Sequence, residues 1–113
     1  VGEVVSNSVY FAGGGAGGND STGAEGGLGG GGNEDFLGGN NTGGGGGGST
    51  GNLANAGRDG GSGVVILKYP NTYQLSLFDG NVTGSFNLQY HLDSNYLVSI
   101  FKSGSGRIIF ESV

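Results

Sequence analysis

Residues 13–18 read GGGAGG, residues 26–32 read GGLGGGG, and residues 43–48 read GGGGGG. Between Gly13 and Gly63 the chain places 25 of its 30 glycines, with no proline and few large side chains. Glycine loses more backbone entropy on folding than any other residue, so order here requires extensive backbone pairing. Collagen needs a strict three-residue repeat with much proline, and the runs have neither. A flexible linker would be richer in serine. Two ordered states remain, irregular stacked loops and the favoured one, a bundle of polyglycine II helices, extended helices of three residues per turn without internal hydrogen bonds. Lacking Cβ atoms, such helices approach closely and bond backbone to backbone. Runs of six or seven residues at about 3.1 Å each span roughly 20 Å. Polar clusters at Asn19–Thr22, Asn33–Asp35, Asn40–Thr42 and Ser49–Asn55 separate the runs and read as loops at the bundle ends. Leu28, Phe36, Leu37 and Leu53 are expected to seal those ends or pack on neighbouring strands.

Outside the tract the periodicity is that of β-strands. Residues 3–11 (EVVSNSVYF) alternate and predict one strand ending at the first glycine. Residues 64–69 (VVILKY) form a continuous apolar run stopped by Pro70, which predicts a well-buried strand. Tyr73–Leu77, Phe86–Tyr90, Tyr96–Phe101 and Arg107–Glu111 alternate in turn. Turn signals separate them at Asp79-Gly80-Asn81, His91–Asn95 and Ser103–Gly106. The predicted class is all-β: a small β-sandwich or barrel scaffold from residues 1–12 and 63–113, with residues 13–62 as a polyglycine II-like insert in the same domain.

Composition narrows the function. Only about sixty residues outside the insert can build an apolar core, which favours assembly with partner chains or packing onto the glycine segment. A net charge of −5 with four basic residues argues against a nucleic-acid partner. The longest apolar run, Val64–Leu67, is far below a membrane span. The chain opens at Val1, as a processed product or a part of a longer polypeptide would. With no cysteine and one histidine, His91, disulfides and Cys/His metal sites are excluded.

Other chemistry is weakly signalled. Gly13–Gly18 satisfies G-x-G-x-x-G formally, but glycine and turn residues follow where a dinucleotide site needs a helix. Asp20, Glu25, Glu34, Asp35 and Asp59 lack a calcium-loop pattern and read as solvated loop charges. Glu34-Asp35 are adjacent and lack the aromatic groove of a glycosidase. No catalytic, cofactor or metal residue is assigned, and the chain reads as non-enzymatic. Polar side chains on rigid bundle ends are the remaining candidates for receptor or subunit contact: Asn19, Asp20, Ser21, Asn33, Glu34, Asp35, Asn40, Asn41 and Asn52.

Several strings occur in a telling order: Val9-Tyr10-Phe11-Ala12 into GGGAGG, then GGLGGGG, then Asn41-Thr42 before GGGGGG, then Gly60-Gly61-Ser62-Gly63-VVILKYP. This order resembles the glycine-rich domain of tail fibres and other structural proteins of tailed bacteriophages. The closing YLVSIFKSGSGRIIF (96–110) resembles the strand-turn-strand that ends such proteins. The resemblance implies a virion-surface structural or receptor-recognition role, in several copies, with a host surface receptor as partner and no membrane insertion. A self-assembling extracellular fibre or matrix subunit is the alternative. Ice binding is a third reading, disfavoured by the mixed acidic loops and by the lack of a repeated Thr/Ala face.

Overall fold

The computed structural model describes residues 1–18, 23–50, 56–89 and 93–113. The protein is all-β, with no helix among the described residues and two separate antiparallel sheets. The chain divides at Gly63 into two compact units, Val1–Gly63 and Val64–Val113.

In the first unit, β1 (Glu3–Val5) and β2 (Ser8–Tyr10) pair with each other, Val4 opposite Val9. The single strand expected over residues 3–11 is instead a hairpin. Ser6 and Asn7 both take left-handed conformations (φ 47° and 65°), which is the requirement of a two-residue type I′ turn. From Gly13 onward the described backbone forms six runs free of turns, 13–18, 24–27, 31–33, 36–39, 44–49 and 57–62, bonded between runs.

The fifth run is central. Gly45 and Gly48 N–H donate to the carbonyls of Gly13 and Ala16, while Gly32 and Asp35 N–H donate to the carbonyls of Gly45 and Gly48. Gly61 and Arg58 N–H donate to the carbonyls of Gly44 and Gly47, and Gly47 N–H donates to Phe36. Partners recur every three residues on each side, which is the repeat of a polyglycine II helix. The first and third runs are parallel to the fifth, as pairs 13/45 with 16/48 and 32/45 with 35/48 require. The sixth is antiparallel, because 58 pairs with 47 and 61 with 44.

Close packing explains the glycines. A Cβ on Gly44, Gly46 or Gly47 would overlap the carbonyl groups of Gly30, Arg58 and Asn33 respectively. On Gly45 it would sit 3.0 Å from Gly15 N, and on Gly48 3.0 Å from Gly18 Cα. Five successive positions are thus blocked in several directions, whereas a Cβ on Gly14 or Gly17 meets nothing within 4 Å.

In the second unit, β3 (Val65–Pro70), β4 (Tyr73–Gln89) and β5 (Tyr96–Ser112) form a sheet in the order β3-β5-β4. The turns expected at Asp79–Asn81 and Ser103–Gly106 do not form. The two segments lie opposite each other, with Gly80 paired to Gly106 and Val82 to Gly104. Glycines at φ 94° (Gly80) and 114° (Gly104), with register shifts at Leu77/Asp79 and Thr83/Gly84, bend the long strands without ending them. The turn expected at 91–95 lies partly outside the described residues. β3 is an edge strand rather than a well-buried one: Tyr69 is buried and Leu67 half-buried, but Val65 and Ile66 are exposed. Pro70 ends it, where no ladder donor is lost to the interior.

Bending brings distant parts of β4 together. Asn87, at φ 52° in the Ser85/Leu88 bulge, accepts from Leu75 N–H at 2.8 Å and donates to Leu75 C=O at 2.9 Å. The same Asn87 carbonyl oxygen accepts from Tyr69 O–H at 2.8 Å, and Asn87 N–H donates to Ser99 Oγ at 2.9 Å. With the Tyr69 proton spent on Asn87, the Ser99 hydroxyl donates to Tyr69. Every polar atom of this buried group is then paired. Around it pack Tyr69, Leu75 and Leu97, flanked by Leu67, Phe86, Phe101 and Ile108.

Candidate functional site

The alternating run directions sort the turns of the glycine unit between two ends. Asn33–Phe36, Thr50 and Arg58 lie at one end. The turn at 28–30, residues 40–43 and Ser62 lie at the other.

At the second end polar groups tie the turns together. Glu3 Oε2 accepts the N–H groups of Gly29 (2.7 Å) and Gly30 (2.9 Å), both glycines having positive φ (102° and 84°). The Gly30 and Gly29 amides hold the Glu3 carboxyl below its usual range. A lowered folded-state value means the contribution is complete above the unfolded value of about 4.3 and is lost as pH falls through the folded value. The expected result is a bundle that loses thermal stability on acidification from about pH 6 to about pH 3, with a shallower loss in Glu3→Gln. An equal loss in both proteins would contradict this role. Thr42 is buried, donating to Gly39 C=O at 2.6 Å and accepting from Gly44 N–H at 3.0 Å. Asn41 N–H donates to Ser62 Oγ at 2.9 Å, and its side-chain amide reaches Gly63 C=O at 3.3 Å.

At the first end the acidic cluster is similarly engaged. Glu34 is buried, and its carboxylate accepts Ala24 N–H at 3.2 Å while its own N–H donates to Ala24 C=O. Asn33 Oδ1 accepts Gly26 N–H at 2.9 Å. Asp35 accepts from the Thr50 hydroxyl and pairs with Arg58 at 3.4 Å; Thr50 first, and then Arg58, hold its carboxyl below the usual range. Three of the expected contact residues therefore cap the bundle's own backbone or brace its end.

The sequence-derived candidates do not form one surface. Asn33, Glu34 and Asp35 occupy one end, and Asn40 and Asn41 the other. Asn19, Asp20, Ser21 and Asn52 lie outside the described residues, as do Leu53 and His91. Leu28, Phe36 and Leu37 do not seal the bundle. All three are exposed, Phe36 at 66% and Leu37 at 64%. Glycine backbones packed against each other leave no apolar pocket for them, although Phe36 is tied through its backbone to Asn33 and Gly47. A large apolar pair with no strand periodicity around it was the available signal in the sequence.

An enclosed glycine helix bearing short capped turns defines a glycine-rich structural domain. The chain belongs to the glycine-rich domain family, which it matches over residues 2–70, the whole glycine unit and β3. Among curated proteins and among solved structures, nothing matches it.

Proposed function

We propose that the chain is a non-enzymatic structural and adhesion module of a virion surface, in a phage tail fibre, fibre tip or capsid decoration. The bundle end bearing Phe36 and Leu37 is its contact surface for a host receptor. The observation that carries this reading is the exposed apolar pair on a backbone-bonded platform, next in the chain to Asp35, which pairs with Arg58. Large apolar side chains left open to water gain by burial against a partner, and neighbouring polar groups supply orientation. The polar loop residues act mainly by holding that platform in shape.

Binding of the fluorescent full-length chain to a panel of bacterial strains, read by flow cytometry, tests the proposal. Wild type should adhere to at least one strain, and Phe36→Ser/Leu37→Ser should weaken adhesion about tenfold or more with unchanged circular dichroism. Adhesion that survives the double substitution removes this end as the contact surface. Absence of adhesion to every strain removes the adhesive role.

A further inference from the structure

No asparagine of the chain precedes a glycine, but two aspartates do, in Asp59-Gly60 and Asp79-Gly80. Such a step can close into a ring, because the glycine nitrogen has no side chain beside it to hinder attack on the aspartate carboxyl. The structure treats the two steps differently. Asp79 lies inside β4, where its Oδ1 accepts Arg107 N–H at 3.2 Å and its Oδ2 accepts Arg107 Nε–H at 2.9 Å. The Arg107 guanidinium, and then its backbone amide, hold the Asp79 carboxyl below the usual range, in the anionic form that resists a nucleophile. Its neighbour Gly80 is paired opposite Gly106.

Asp59 has neither protection. Residues 56–60 are all exposed, and the Asp59 carboxylate makes no hydrogen bond or ion pair among the described residues. The main chain around it is held at three points. Arg58 N–H donates to Gly47 C=O and Gly61 N–H to Gly44 C=O, both at 2.8 Å, and Asp59 C=O accepts Gly38 N–H at 3.0 Å. Gly60 N–H, the attacking group, donates to no backbone carbonyl among the described residues. Solvent-exposed backbone bonds are among the first to open, so the rotation that closes the ring needs a local opening of this run and no global unfolding.

We infer that Asp59-Gly60 is a site of spontaneous isomerisation to isoaspartate, with water as the only co-reactant. The Gly60 nitrogen bonds to the Asp59 side-chain carboxyl carbon, and its proton leaves with the carboxyl hydroxyl as water, giving a cyclic imide. Water then adds back. Cleavage at the side-chain carbonyl restores aspartate. Cleavage at the main-chain carbonyl leaves that group as a free carboxylate, and the chain then runs through the side-chain methylene. Nothing is oxidised or reduced. The added main-chain carbon lies between Arg58 and Gly61, whose bonds to Gly47 and Gly44 require a three-residue spacing. The carbonyl that accepted Gly38 N–H also leaves the main chain. One event therefore unfastens the sixth run from the fifth and from Gly38. The inference is independent of any host contact.

Ageing of the full chain in neutral buffer, followed by peptide mapping with electron-transfer fragmentation, tests it. Isoaspartate leaves the mass unchanged but alters the fragment ions. Position 59 should accumulate isoaspartate at least about tenfold faster than position 79. Asp59→Glu keeps the charge but must close a larger, slower-forming ring, so it should remove the product at that position. Arg107→Gln frees the Asp79 carboxyl and should speed isomerisation at position 79 about threefold or more. In amide hydrogen exchange of the aged protein, isomerised chains should lose protection at Gly38 and Gly61 and keep it at Asn87. Isoaspartate absent from position 59, or formed equally fast at position 79, would overturn the inference. So would an unchanged rate at position 79 in Arg107→Gln, or unchanged exchange of Gly38 and Gly61 in isomerised chains.

Discussion

Gly47→Ala is expected to unfold the glycine bundle, while Gly14→Ala and Gly17→Ala strengthen it. An added methyl on Gly47 overlaps the Asn33 carbonyl oxygen and lies 2.7 Å from its carbon. Neither neighbour can yield by rotating a side chain, because both are backbone. Separating the runs breaks the bonds Gly47 makes to Phe36 and Arg58. Two lost hydrogen bonds at about 1 kcal/mol each, with overpacking of about 1–3 kcal/mol, give a loss of about 3 kcal/mol or more. At Gly14 and Gly17 the new methyl meets open space, and neither residue has a left-handed φ. Alanine there restricts the unfolded chain and should add about 0.4–1 kcal/mol. Urea unfolding followed by glycine amide resonances measures all three. A Gly47→Ala protein as stable as Gly14→Ala would contradict the close packing.

Asn87→Ala should be the most damaging single polar substitution tested in the second unit. Asn87 joins two parts of β4 through both backbone groups of Leu75, substituting for a ladder that the bulge interrupts. Alanine leaves the Leu75 N–H and C=O without that partner and removes the acceptor of the Tyr69 hydroxyl. It also retains a left-handed φ without the local hydrogen bonds that favour asparagine there. The expected cost is about 3–4 kcal/mol. Tyrosine fluorescence during urea unfolding is a suitable probe, since four of the five tyrosines lie in residues 64–113. Asn87→Gly relieves only the backbone strain, so it should remain destabilised; full recovery would show that strain, rather than the bonds to Leu75, sets the cost.

The all-β class was legible because Tyr73–Leu77 and Tyr96–Phe101 alternate so regularly, and the bundle because glycine runs of similar length alternate with polar turns. Facing was not legible. Gly14 and Gly47 are indistinguishable in composition, and only neighbouring carbonyls in space make one replaceable and the other not. Gly80 and Gly104 carried a turn signal, yet each lies inside a paired strand, opposite Gly106 and Val82 respectively, where the same flexibility makes bends. Ser6-Asn7 shows the converse: a two-residue turn hidden inside a seemingly continuous alternation. At the candidate site, Glu34 and Asn33 looked like exposed loop residues. Their acceptor oxygens are taken by the Ala24 and Gly26 amides of a neighbouring run, a pairing that depends on the bundle geometry. Phe36 and Leu37 were expected to be covered, but a bundle stabilised by backbone bonds needs no apolar plug.

Residue-resolved amide hydrogen exchange of the full chain tests the central claim, an enclosed polyglycine II helix over residues 44–49, most directly. Gly45 and Gly48, which donate to the first run, and Gly47, which donates to Phe36 in the fourth, should exchange at least about a hundredfold more slowly than Gly17 on the outside. Uniformly fast exchange across residues 44–49 would mean that the tract is not held by interrun hydrogen bonds, and the bundle would have to be abandoned.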